Sequence, residues 1–324
     1  MQLVINTYGS YLHQDKGCFE IKAEGKKSKI STKKVDSILI TTGAAVSSDA
    51  IKLALENNIE IQFLDKYGSS LGKVWHSKLG STTYIRRKQL EISDSDEGTQ
   101  LVKELILQKI NNCIEHLTDL ALRRSTDKKN YLKGLVKDIE KLKVKLKKLT
   151  GRVDDIRNRL MGYEGNAGKL YFKGLSYIMP ERYSFSGRSH RPAKDEFNCL
   201  LNYGYGILYS KVEKACIIAG LDPYVGILHT DGYNKKSFVF DVIEPYRHYI
   251  DRIVVKLFST KSVRKSYFDE IHGGLTLNED GKKILIQELN EYFDSGIRYD
   301  GRNIKINDTI QADLHKIANR LIEE

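Results

Sequence analysis

The chain has 324 residues, 40% of them apolar, and carries 53 Lys and Arg against 42 Asp and Glu for a net charge of +11. That apolar content, with only four prolines, excludes a disordered chain, and the length allows two domains that each bury a core. The basic excess favours a polyanionic partner; no apolar run approaches the roughly 18 residues of a membrane span and the start MQLVINTYGS lacks a secretory pattern, so nucleic acid met in the cytoplasm is expected and a membrane is not.

LVIN, CFEIK, SILIT, EIQFLD and KVWHS are short, rich in β-branched and aromatic residues, and separated by turn chemistry in TYGS, EGKK and YGSSLG, which predicts strands. SSDAIKLALENN, with a Ser or Asp cap and apolar residues at Ile51, Leu53 and Leu55, predicts one helix among them. Residues 1–83 therefore read as a small β-rich domain, with 11 basic against 8 acidic residues.

From residue 97 the period becomes helical. Ile106, Ile110, Cys113, Leu117 and Leu120 step by four and three, and after a polar RRSTDK turn a second helix carries Leu132, Leu135, Ile139, Leu142, Leu146, Leu149, Val153, Ile156 and Leu160 in unbroken steps of three and four. This heptad seam predicts one long helix folded antiparallel onto the first. Between Lys128 and Lys148 nine lysines stand against Asp138 and Glu140, either as a solvated outer face or as a contact for a DNA backbone. Further on, YGYGILYSKVEKACIIAG reads as a buried helix closed by Gly220, LDPYVG as a break at Pro223, and KKILIQELNEYFDS and TIQADLHKIANRLIEE as amphipathic helices. The expected fold class is α+β, a β-rich domain over residues 1–83 followed by a larger all-helical domain over residues 84–324. Cys18, Cys113, Cys199 and Cys216 lack the paired spacing of a zinc or redox site and are expected to be reduced, mostly core thiols.

Chemistry concentrates in GILHTDGYNKKSFVFDVIE, which holds His229, Asp241 and Glu244. The two acids share a face if SFVFDVIEPYRHYI is helical, and carboxylates with a single imidazole suit Mg²⁺ or Mn²⁺. On this stretch alone, pairing of the acids with Arg247 or Arg252 on a partly buried helix is the favoured reading. A third carboxylate, Glu164 in MGYEGNAGKLYF, stands beside Gly165, Ala167 and Gly168. Small residues allow close approach of a ligand, and a glutamate at a helix start is favoured by the dipole; an ordinary first-turn glutamate is the alternative.

Taken together, YEGNAGKLYF, HRPAKDEFNCLLNYGYGILY, GLDPYVGILH, KKSFVFDVIEPYR and GGLTLNEDGKK, in that order behind a β-rich domain, resemble the CRISPR-associated integrase family Cas1 over nearly the whole chain. The resemblance implies a metal-dependent DNA endonuclease and integrase that inserts new spacers into a CRISPR array with its partner Cas2. It carries the metal ligands to Glu164, His229 and Glu244 and a further acid to Asp241, with Glu244 standing where many members have aspartate. It implies Mg²⁺ or Mn²⁺ as cofactor, double-stranded DNA (prespacer and CRISPR repeat) as substrate, a homodimer through the β-rich domain and a Cas2 dimer as partner. Tyr8 falls where some relatives stack an aromatic ring on a duplex end; an ordinary β-turn tyrosine is the commoner alternative. His190, Arg191 and Lys194 in SHRPAKDEFN, with capping and pairing at a helix start as the alternative, Lys235 and Lys236 after His229, with a mobile lysine-rich loop as the alternative, and Arg247 are the phosphate-binding candidates. A nuclease that cuts without joining and a non-catalytic DNA-binding scaffold are the alternatives.

Overall fold

The computed structural model describes residues 1–65, 70–75, 83–190 and 192–323. Its first part is built from β1 (Gln2–Ile5), β2 (Ser10–Asp15), β3 (Cys18–Ala23), β4 (Lys26–Ser31), β5 (Ser37–Ile40), β6 (Ala44–Val46), helix α1 (Ser48–Glu56), β7 (Glu60–Leu64) and β8 (Ser70–Val74). These strands form two four-stranded sheets, ordered β1-β5-β7-β8 and β4-β3-β2-β6. Leu3, Ile5, Ile38, Ile40 and Ile61 of the first sheet, Leu12 and Phe19 of the second, and Ala50 and Ala54 of α1 share one buried core.

Strands β2, β4 and β6 add to those expected. SYLHQD and KKSKIS are too polar to announce themselves, and their pairing is set by two-residue turns. Lys16-Gly17 joins β2 to β3 and Glu24-Gly25 joins β3 to β4, with positive φ at all four residues, the turn whose twist matches that of paired strands. Of the KVWHS segment, Lys73 and Val74 end β8, while His76 and Ser77 lie outside the described residues.

Helices follow: α2 (Thr83–Ile92), α3 (Asp96–Leu122), α4 (Thr126–Lys147), α5 (Val153–Ile178), α6 (Glu196–Ala219), α7 (Ser237–Val242) and α8 (Arg247–Ser259). Hairpin β9 (Phe268–Ile271) and β10 (Gly274–Leu277), helix α9 (Glu279–Asp294), hairpin β11 (Gly296–Tyr299) and β12 (Arg302–Lys305), and helix α10 (Ile306–Arg320) complete the chain. The part after the β-rich domain is thus mostly helical; two hairpins interrupt the all-helical reading. By compactness the chain divides into a unit of residues 1–79, 191–207 and 264–307 and a unit of residues 80–190, 208–263 and 308–324.

In the second unit the leucine seam is buried as expected, from Leu132 to Leu160, with Leu142 half-buried. It is not one helix. Helix α4 stops at Lys147, Gly151 takes φ +114°, and α5 starts at Val153, so the seam folds back on itself and α3, α4 and α5 pack together. They meet closely at Gly174, where an added Cβ would lie 2.9 Å from Leu117, 3.2 Å from Leu135 and 3.3 Å from Leu132. Cys113, Cys199 and Cys216 are buried free thiols and Cys18 is half-buried and free.

A polar network crosses the same interior. His116 on α3 contacts the Tyr171 hydroxyl on α5 through Nδ1 at 2.7 Å, and that hydroxyl donates to Asp251 on α8 at 3.1 Å. Burial, with the positive charge of Arg252 and then His248 on α8, lowers the His116 imidazole to about 3. Between pH 6.5 and 3 the unfolded chain therefore binds a proton that the folded chain refuses, so stability falls as pH falls below 6.5. Because the folded value lies well below 5, the loss between pH 7 and pH 5 depends on the unfolded value alone and amounts to about 2 kcal/mol. Urea unfolding at the two pH values checks it: His116→Gln should lose less stability than the native chain over this interval, by roughly that amount.

Candidate active site

Helix α5 carries Glu164 near its middle, not at a helix start, so neither the dipole nor first-turn chemistry accounts for it. What accounts for it is Lys109. This ammonium reaches from α3 to Glu164 Oε1 and to Glu244 Oε2 at once. Glu244 opens a short 3-10 turn, Glu244–Tyr246, between α7 and α8, and its other oxygen accepts from Arg247 Nε at 2.8 Å. One turn along α3 from Lys109, Asn112 donates to the Pro245 carbonyl at 2.7 Å and meets His248 Nδ1 at 3.1 Å. The side chain of Glu244 and the backbone just after it are thus both held by α3. Burial alone would favour the neutral acid, but Arg247 and then Lys109 outweigh it and hold the Glu244 carboxyl down at about 2. Burial likewise works against the Lys109 charge, and Glu244 and Glu164 more than restore it.

The two acids expected to share a helical face do different things. Helix α7 ends at Val242, so Asp241 and Glu244 belong to separate elements. Asp241 is buried, and both its oxygens are taken: Oδ2 accepts from the backbone N–H groups of Ile227 at 2.7 Å and Leu228 at 3.1 Å, and Oδ1 from the His229 N–H at 3.0 Å. Oδ1 also lies 2.7 Å from His229 Nδ1. A carboxylate on Nδ1 fixes the tautomer with the lone pair on Nε2, the nitrogen left to face a ligand. From the other side Arg157 of α5 donates to the carbonyls of Ile227 and Leu228. The loop that carries His229 therefore has its N–H groups satisfied by one charged side chain and its carbonyls by another. Gly226 lets it close: a Cβ there would stand 2.2 Å from the His229 carbonyl oxygen and 2.5 Å from Ser237 Cβ.

Glu244 pairs with Arg247, as the sequence suggested for the bland reading, whereas Arg252 turns instead to Asp119 at 2.8 Å and Glu115 at 3.2 Å. Lys235 Nζ donates to the Thr230 carbonyl at 2.7 Å and Lys236 pairs with buried Glu213 at 2.9 Å. Lys194 Nζ donates to the Gly273 carbonyl at 2.6 Å. Tyr8 is 85% exposed and its ring lies over Gly43, where a Cβ would come within 2.9 Å of it. Arg191 lies outside the described residues. Sequence reading missed Lys109, Asn112 and Arg157. Its one available signal was a lysine directly beside the apolar stripe Ile106, Ile110 and Cys113, a place that also suits a lysine with its stem buried and its charge in water.

Among the described residues no three His, Cys, Asp or Glu side chains are grouped as a metal site. The donors nevertheless fit a divalent ion. Two carboxylates from separate helical segments, Glu164 and Glu244, converge on a single point of positive charge, and hard oxygen donors of that kind suit Mg²⁺ or Mn²⁺; among the described residues His229 is not grouped with them.

The model of the family described as CRISPR associated protein Cas1 matches residues 3–291. The chain is 36% identical over 316 residues to the CRISPR-associated endonuclease Cas1 1 of Archaeoglobus fulgidus, covering 94% of this chain and 91% of that protein. Among solved structures it is similar in fold to a CAS1 protein from Thermotoga maritima, with a TM-score of 0.83 at 21% identity, covering 100% of this chain and 98% of that one. It is similar also to a casposase bound to integration product, with a TM-score of 0.84 at 22% identity over 99% of this chain and 90% of that one. A family match over most of its length and a relative this close place the chain in the CRISPR associated protein Cas1 family.

Proposed function

We propose that the chain is a CRISPR adaptation integrase, a metal-dependent DNA endonuclease and transesterase that joins the 3′-hydroxyl of incoming double-stranded DNA to a phosphodiester at the edge of a CRISPR repeat. The observation that carries this reading is the convergence of Glu164 and Glu244, from separate elements, on one cationic nitrogen. Glu164, Glu244 and His229 would hold the divalent ion, Mg²⁺ or Mn²⁺. Bound there, such an ion supplies Lewis-acid stabilisation of the charge at phosphorus and lowers the pKa of the attacking hydroxyl. In the reaction one P–O bond forms as another breaks, and the proton of the attacking hydroxyl ends on the departing 3′-oxygen. No nucleotide is consumed.

The chain's own residues supply placement. Asp241 fixes the His229 ring and the loop under it, Arg247 fixes the Glu244 carboxylate, and Asn112 fixes the Pro245 carbonyl next to it. Lys235, Lys236, Lys194, Arg191 and Arg247 are assigned to flanking phosphates and Tyr8 to stacking on a duplex end, a contact worth about 1 to 3 kcal/mol. The protein works in the cytoplasm with a Cas2 dimer and as a homodimer through its β-rich domain, residues 1–83, so that two sites at fixed separation set the length inserted. No helix among the described residues is long and apolar enough to cross a membrane.

Joining of a labelled oligonucleotide with a free 3′-hydroxyl to a supercoiled plasmid tests the chemistry. Glu164→Ala, His229→Ala and Glu244→Ala should each reduce joining at least a hundredfold, while DNA affinity stays within a few fold because other cations hold the phosphates. Nicking without joining by the native chain would make it a nuclease only; full activity of His229→Ala in Mn²⁺ would remove His229 from the ligand set.

Lys141, Lys145 and Lys148 are exposed on and just after α4. If they touch DNA, reversing their charge makes the plot of log affinity against log salt shallower by about 0.9 for each phosphate that they neutralise in the native chain. An unchanged slope returns α4 to a solvated face. Sedimentation velocity of the whole chain should give twice the mass of one chain, and a single-chain mass without DNA would end the two-site ruler.

A further inference from the structure

The place where Glu164 and Glu244 meet is filled by a side chain of the protein itself. Lys109 lies with one ammonium on both carboxylates, and the three side chains keep only 17%, 25% and 12% of their exposure, for Lys109, Glu164 and Glu244 in turn. With Arg247 on the remaining oxygen of Glu244, the group carries two negative and two positive charges and is balanced. A divalent ion drawn by the same two carboxylates cannot simply be added. It would stand against the Lys109 ammonium in a partly dry place, where like charges a few ångströms apart repel strongly. Arg247 holds the Glu244 carboxylate and Asn112 the Pro245 carbonyl beside it, both independently of Lys109, so the carboxylate stays in place when the ammonium leaves. Lysine, with a flexible four-carbon stem, is suited to leaving; a bidentate arginine is not.

Resting on the metal-site reading above, we propose that Lys109 is a resident counter-ion: it holds Glu164 and Glu244 together before a divalent cation binds and is displaced when the cation arrives. Lys109 is a positioning residue in this scheme, and it sets how tightly the ion is held. Removing it leaves two partly buried carboxylates without their shared cation, which destabilises the metal-free protein and turns the pair into a stronger cation site.

Isothermal titration with MnCl₂, together with thermal melting with and without Mn²⁺, tests this on the whole chain without DNA and without an activity readout. For Lys109→Met the metal-free protein should melt below the native chain, bind Mn²⁺ at least tenfold more tightly, and gain more in melting temperature when Mn²⁺ is added. Lys109→Gln, which keeps length and polarity, should show the same tightening if the methionine variant fails to fold. A mere packing defect would weaken Mn²⁺ binding, so tightening separates the two roles. Glu164→Ala serves as the reference. If Mn²⁺ binds the native chain and the Lys109 variants with affinities within twofold of each other and is lost in Glu164→Ala, the counter-ion proposal falls and the metal site stands. If binding is weaker in the Lys109 variants, the proposal falls in the same way. If Glu164→Ala binds Mn²⁺ as well as the native chain does, the metal site itself is misplaced and the proposal falls with it.

Discussion

Two carboxylates gathered in a partly buried place cannot both stay ionised without a cation between them, and much of the second unit's interior can be understood from how that requirement is met. The cation comes from α3. Lys109, Asn112 and His116 lie three and four residues apart, on one side of that helix, and each holds a different neighbour: the carboxylates of Glu164 and Glu244, the Pro245 carbonyl, and the Tyr171 hydroxyl. Beside this polar row runs an apolar one, Ile106, Ile110, Cys113 and Leu117, all buried. Both rows lie within residues 106–117 of the helix. Its apolar row fixes α3 against α4 and α5, and that fixed position allows the polar row to hold the segment around Glu244.

The His229 loop solves a different problem by related means. A loop inside a protein has backbone groups with no helix or sheet to satisfy them, and each one left bare costs on the order of 1 to 3 kcal/mol. Here Asp241 collects three N–H groups and Arg157 two carbonyls. The charges that satisfy the backbone also aim the imidazole, since the same Asp241 oxygen meets Nδ1 and the N–H of His229. Stability of the loop and orientation of the ring are therefore one interaction, and a change to Asp241 cannot affect only one of them.

Much of this was legible. The apolar seam from Leu132 to Leu160 told which residues are buried, and the order of the loose motifs told which acids and which histidine to watch. The break in the seam was not legible, because Leu149 to Val153 keeps a helical step across a turn; only Gly151, with φ +114°, marks where the chain folds back. Strand β4 was hidden by its lysines, which suit a sheet edge that must not recruit further strands. Asp241 and Glu244 fall in different elements because Pro245, which lacks an N–H, stands in a tighter turn after α7. Lys109 was hidden for a physical reason as well. A lysine bordering a buried stripe is compatible with a stem lying on the core and a charge in water, and nothing local says that the charge instead turns inward to acids far along the chain.

The turn at Pro245 also gives meaning to the side chain at position 244. Asp241 lies near the end of α7 and Glu244 opens the turn that follows it. The two acids have different tasks: the shorter one is used where the backbone it must reach is close, and the longer one bridges α3 and the next turn, taking Lys109 on one oxygen and Arg247 on the other. A carboxylate one carbon–carbon bond, about 1.5 Å, nearer its own backbone would have to give up reach toward one of those two cations. Glutamate at this position is therefore tied to the presence of Lys109, since both the extra length and the ammonium serve the same contact.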